Sequence, residues 1–186
     1  MSREDIPNLI SILRIFLVVP IIGLLLYGDF ALAMWLFAVA GISDGLDGYL
    51  AKRNGWGSRL GSILDPIADK VLLVSTYVAL GWLELIPFWL VVAVIGRDLI
   101  IVLGAVAFHY YVGRYEMEPS LISKANTVVQ IVYGVLVVFM QAVPVIDEDT
   151  VYRLGYVVLV TTVLSGATYV VVWGRRAMEY GRKAHQ

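Results

Sequence analysis

The chain has no cysteine, two histidines among 186 residues, and charged side chains at only 16% of its positions. Without cysteine there can be no disulfide and no thiolate metal site. His109 reads as an interfacial or packed residue and His185 as part of the tail. The formal net charge is −1, so no field of one sign points to a nucleic-acid partner. No internal repeat and no low-complexity segment is present. The N-terminal stretch carries Arg3, Glu4 and Asp5; acids there argue against a transit peptide, and the apolar run that follows is too long for a cleaved signal. What the chain has in abundance is apolar side chains, at 60% of positions. That balance excludes an ordinary soluble domain and points to a bundle of membrane spans. The length suits a single domain over residues 1–186.

The apolar runs predict an all-α, polytopic membrane protein with six transmembrane helices. They cover about Leu9–Tyr27, Ala31–Leu50, Gly61–Leu83, Pro87–Tyr111, Leu121–Val143 and Val151–Trp173. Six spans put both termini on one side. Arg3, Lys52, Arg53, Arg59, Arg114, Lys124, Arg175, Arg176, Arg182 and Lys183 collect there, whereas Arg153 and several acids fall on the other. By the positive-inside rule the basic side, with both termini, is cytoplasmic. Trp82, Trp89, Tyr110, Tyr111 and Trp173 lie near span ends, as an aromatic belt would.

Against this background the stretch from Ser43 to Lys70 stands out. Asp44 and Asp47 are three apart, and Asp65 and Asp69 four apart; on helices each spacing puts the pair on one face. Gly48, Ala51 and Gly61 share those faces and leave the backbone bare. Asp65-Pro66 taken alone is also what a helix N-cap followed by proline looks like, and Asp44 or Asp47 alone could be an interfacial charge. Four acids at one membrane depth are not explained that way, because intramembrane acids are costly and usually functional. Oxygen ligands without Cys or His favour a hard cation, Mg2+, Mn2+ or Ca2+. Other charged residues carry two readings each. Arg14 either snorkels or contacts a phosphate. Arg97-Asp98, in mid-span, forms a structural ion pair or presents Arg97 to substrate or to the aspartates. Lys124 snorkels or reads an acceptor phosphate.

The pattern Asp44-x-x-Asp47-Gly48-x-x-Ala51-Lys52, eight residues, Gly61-x-x-x-Asp65-x-x-x-Asp69 resembles the signature of the CDP-alcohol phosphatidyltransferases, integral membrane enzymes that join two alcohols through a phosphate and release CMP. Seven of its eight fixed positions match; the signature has Arg where this chain has Lys52, a point charge in place of a bidentate fork. The resemblance implies that Asp44, Asp47, Asp65 and Asp69 hold one or two divalent ions, Mg2+ or Mn2+, and that Asp69 is also the catalytic base. It places Gly48, Ala51, Lys52, Arg59 and Gly61 beside the nucleotide and diphosphate, and makes Arg97 and Lys124 candidates for the acceptor. Ile95-Gly96-Arg97-Asp98, the run Leu121 to Gln130 and Tyr180-Gly181-Arg182-Lys183 look most like the mitochondrial-type cardiolipin synthase branch. There CDP-diacylglycerol is the donor and phosphatidylglycerol the acceptor. The near alternative is a phosphatidylglycerophosphate synthase that uses glycerol 3-phosphate. The resemblance also implies a homodimer; by the positive-inside rule the aspartate cluster opens to the cytoplasm, in what is expected to be a bacterial cytoplasmic (inner) membrane.

A small cation transporter would use intramembrane acids too. It would need a polar path through both leaflets, whereas the acids concentrate at one depth near one face and the opposite halves of the spans are apolar. Metal-dependent binding of CDP or CMP separates the two classes.

Overall fold

The computed structural model describes residues 5–54, 61–112, 120–143 and 148–184, with the side chains of 5–7, 47–52, 54, 62–63, 107–109, 111–112, 148 and 174–184 outside that description. Among the described residues all regular structure is helical. The helices are α1 (Asp5–Tyr27), α2 (Phe30–Asn54), α3 (Gly61–Trp82), α4 (Phe88–Val112), α5 (Leu121–Ala142) and α6 (Glu148–Ala184).

Their ends follow from local chemistry. At the end of α1, Gly28 adopts φ 82°, its N–H donates to the Leu25 carbonyl, and the Asp29 N–H donates to the Leu24 carbonyl. This is a Schellman stop. Asp29 then caps α2, its carboxylate accepting from the Leu32 N–H at 3.1 Å. The end of α3 repeats the stop with a less suitable residue. Glu84 takes φ 59°, while the Glu84 and Leu85 N–H groups donate to the Gly81 and Leu80 carbonyls. Ser120 opens α5, accepting from the Ser123 N–H through its hydroxyl.

Among the described residues four helices contain stretches long and apolar enough to cross a membrane: Asn8–Tyr27, Phe88–Val106, Leu121–Ala142 and Asp149–Trp173. In α2 the apolar stretch among the described side chains, Phe30–Leu46, is shorter and already contains Asp44. Large apolar side chains such as Phe16, Val19, Trp35, Leu103 and Val163 are exposed, whereas Arg14, Arg97, Asn126 and Gln130 are buried. A polar interior inside an apolar exterior suits lipid and not water. The chain is accordingly an integral membrane protein.

The helices pack as two units. One comprises α1, α2, α3 and α5 from Gly134 onward. In it α1 packs against both α2 and α3. Ser11, Arg14, Val18, Ile21 and Leu25 form its buried stripe, with the alternating three- and four-residue spacing of one helix face. Ala33, Ala40 and Ala68 are buried too, and side chains this small let helix backbones approach closely. The other unit comprises α4, α5 through Tyr133, and α6, with α4 packed on α6.

Two element boundaries differ from the sequence expectation. Helix α6 begins at Glu148, ahead of the start expected at Val151, and Asp149 in its first turn complements the positive end of the helix dipole. At its other end α6 runs past Trp173 to Ala184. Nothing in Gly174 to Ala184 forces a stop: there is no proline, and Arg, Met, Glu, Lys and Ala are good helix formers.

Candidate active site

Asp44 lies in the C-terminal half of α2. Asp65 and Asp69 lie one turn apart in the first half of α3. Pro66 falls inside α3, which already begins at Gly61, so Asp65 is not the cap of that helix. Two side chains of α1 reach these carboxylates. Ser11 donates its hydroxyl to Asp65. Arg14 places Nη1 at 2.6 Å from Asp44 Oδ1 and at 2.6 Å from Asp69 Oδ1. Those two oxygens therefore lie within twice that distance of each other. Arg14 is 1% exposed, against 46% for Asp44 and 51% for Asp69, so the guanidinium meets the carboxylates from the protein side and leaves their outer side open. Gly41, one turn before Asp44, is bare: an added Cβ would meet nothing within 4 Å.

Three of the four predicted metal ligands are thus gathered by α1. The side chain of Asp47 lies outside the described residues, as do those of Gly48's neighbours Ala51 and Lys52; Gly48 itself falls within the helical course of α2. Arg59 lies outside the described residues altogether. Gly61 is buried at the head of α3.

The donor set suits a hard divalent cation, being carboxylate oxygen contributed by two helices and half open to the outside. Among the described residues no three acidic or imidazole groups stand close enough to hold one ion. The Arg14 guanidinium is the positive charge that lies between Asp44 and Asp69, and Asp47 is not among the groups compared. In chemistry the residues fit the ion.

In the second unit Arg97 is 5% exposed and pairs with Asp98 at 2.6 Å. Its Nε and Nη2 also donate to Ser165 Oγ, at 3.1 and 2.8 Å, and Nη2 donates to Ser123 Oγ. Further along the same helix faces, Gln130 Nε2 donates to Thr162 Oγ1, which donates to Asn126 Oδ1, both at 3.1 Å. Lys124, next to Ser123, is exposed. Of the two readings of Arg97, the ion pair with Asp98 is present, inside a buried polar seam of α4, α5 and α6.

Sequence reasoning overlooked Ser11, Thr162 and Ser165. A signal for Ser11 exists: it and Arg14 continue the three–four spacing of Val18, Ile21 and Leu25, which marks them as inward-facing. Thr162 and Ser165 also lie three apart on one face of α6, but Thr161 and Thr168 beside them blur that signal.

The spacing of the acids is not the only family feature. Residues 4–173 match the profile of the CDP-alcohol phosphatidyltransferases. The chain belongs to that family. Among curated CDP-alcohol phosphatidyltransferase relatives, the cardiolipin synthase (CMP-forming) of Rattus norvegicus is 36% identical over 97% of this chain and 63% of its own length. The probable cardiolipin synthase (CMP-forming) of Drosophila melanogaster is 37% identical over 91% of this chain and 59% of its own. The chain thus spans less than two thirds of the length of these relatives. A probable phosphatidylglycerophosphate synthase of Mycobacterium tuberculosis is 31% identical over 89% of this chain and 80% of its own length.

Proposed function

We propose that this CDP-alcohol phosphatidyltransferase is a cardiolipin synthase: it transfers the phosphatidyl group of CDP-diacylglycerol to phosphatidylglycerol and releases CMP. The observation that carries the reading is the convergence of Asp44, Asp65 and Asp69, from two helices, on one side of α1. The names and identities of the rat and fly relatives support the choice of acceptor. The shorter mycobacterial relative, matched over more of its own length, keeps phosphatidylglycerophosphate synthesis from glycerol 3-phosphate as the second reading.

In this reading Asp44, Asp47, Asp65 and Asp69 hold the divalent ion, Mg2+ or Mn2+. When bound, it neutralises the diphosphate and stabilises the leaving oxygen. Gly48, Ala51 and Gly61 let the nucleotide approach helix backbone, and Lys52 and Arg59 offer positive charge to the diphosphate. Asp69 accepts the proton of the acceptor hydroxyl. That oxygen forms a bond to the phosphorus on the lipid side, and the bond from phosphorus to the CMP oxygen breaks. Positioning supplies much of the acceleration, as in other phosphoryl transfers. Lys124, exposed at the head of α5, contacts the acceptor phosphate. Six spans, cytoplasmic termini, a cytoplasm-facing site in a bacterial inner membrane and a homodimer complete the proposal. They rest on the basic-residue distribution and the family resemblance.

The test uses purified protein in mixed micelles with CDP-diacylglycerol and Mg2+, offered phosphatidylglycerol or glycerol 3-phosphate separately. CMP release is followed and the lipid product weighed. Cardiolipin formed only with phosphatidylglycerol is expected. Phosphatidylglycerophosphate would overturn the acceptor and keep the site, whereas silence with both would overturn the reading. Asp69→Asn should lose at least ~100-fold in turnover, the usual worth of a general base, while nucleotide binding measured by CMP titration is largely spared.

A further inference from the structure

Arg14 has a more specific place than either snorkelling or phosphate contact. It comes from α1, yet one of its nitrogens is shared by a carboxylate of α2 and a carboxylate of α3, at 2.6 Å each. One turn earlier on the same buried stripe, Ser11 serves Asp65. A single face of α1 thus addresses three acids. Carboxylates packed this closely repel one another, and near lipid they need a cation to stay ionised. Among the described residues Arg14 is a cation placed to do this. It is also almost wholly buried, so its charge is little screened by water.

We propose that Arg14 is the resident counter-cation of the carboxylate cluster. Without a divalent ion its guanidinium holds Asp44 and Asp69, and so α2 and α3, together; entry of the ion requires it to release at least one of them. The second half rests on the cation reading of the cluster given above. Arg14 is accordingly a positioning residue, acting through the aspartates, and it lowers affinity for the ion by competing for their oxygens.

The experiment uses the full chain in detergent, without nucleotide or lipid substrate. Thermal unfolding in EDTA compares wild type, Arg14→Gln and the double variant Arg14→Gln with Asp69→Asn. The Gln variant should melt lower by about 5 °C, the scale expected for losing one paired charge in a chain of this size. Removing Asp69 as well should restore part of the loss. A Gln variant that melts with wild type, or a double variant that melts lower still, would overturn the counter-cation role. Mn2+ binding, followed by electron paramagnetic resonance, reads the competition. Arg14→Gln should bind at least ~10-fold more tightly, because a like charge beside the ion has gone. Arg14→Lys, which keeps the charge, should stay near wild type. Equal or weaker binding by the Gln variant would overturn the competition. If wild type and variants all bind no Mn2+, the cation reading fails and the competition with it, while the EDTA series still judges the counter-cation role by itself.

Discussion

At the scale of single residues, the charged groups divide into those whose purpose shows in spacing and those whose purpose shows only in packing. Asp44, Asp65 and Asp69 are of the first kind. Nothing but a shared face explains acids at three- and four-residue intervals in apolar helices, and α1 meets them there. Arg97 is of the second kind. Its sequence position allows both a structural pair and a substrate contact, and the buried bonds to Asp98, Ser123 and Ser165 become visible only when three helices are assembled. The two roles have different consequences. Arg97→Met leaves the Asp98 carboxylate buried without its cation and should cost about 3–5 kcal/mol, as broken buried pairs do. Arg97→Met combined with Asp98→Leu removes both charges and should recover most of that stability in thermal unfolding. A purely structural pair predicts that the double variant also retains acceptor KM. A rise in KM for the acceptor in a protein that is otherwise folded would assign Arg97 to the substrate.

At the scale of helices, most boundaries were legible because the punctuation is local. Gly28-Asp29 and Ser120 stop and start their helices by backbone geometry and capping that depend on a few neighbours. Glu84 was less legible, since glutamate is an unusual choice for a left-handed stop. A non-glycine residue there is strained by roughly 1–2 kcal/mol, and glycine recovers that at some cost in chain entropy. Glu84→Gly should therefore stabilise the protein by about 0.5–1 kcal/mol in chemical or thermal unfolding. The contact between α4 and α6 was not legible at all. Gly104 looks like one more small residue in an apolar run, but a Cβ on it would lie 1.4 Å from the ring of Trp173. That ring, edge-on to Tyr169, closes over the α4 backbone. Gly104→Ala must displace the indole, and overpacking of this kind costs about 1–3 kcal/mol. Pairing it with Trp173→Leu should cost less than the alanine change and the leucine change added together, a coupling that a double-mutant cycle would measure.

At the scale of the whole molecule, the number of helices that cross the membrane decides which side the carboxylates face. Among the described residues four helices qualify by length and composition, whereas α2 offers a shorter apolar stretch. Hydropathy undercounts where a span carries a polar site, and α2 and α3 are the helices that carry the aspartates. Both are long enough: at about 1.5 Å per residue, 25 and 22 residues reach past a hydrocarbon core of about 30 Å. Both also pack along α1, which does qualify as a span. Packing against a spanning helix supports the six-span arrangement proposed above. Arg53 separates the alternatives. With six spans it shares a side with Ser120; if α2 and α3 stay outside, it shares a side with Glu84. The chain has no cysteine, so single cysteines can be placed in a background that is silent to thiol reagents. Arg53→Cys, Glu84→Cys and Ser120→Cys would be labelled in sealed vesicles with a membrane-impermeant maleimide. Joint labelling of positions 53 and 120, opposite to 84, is the expected result and puts the carboxylates at the face shared with the basic loops. Joint labelling of 53 and 84 would move the site to the opposite face, where a soluble nucleotide released by the reaction would be lost to the cytoplasm.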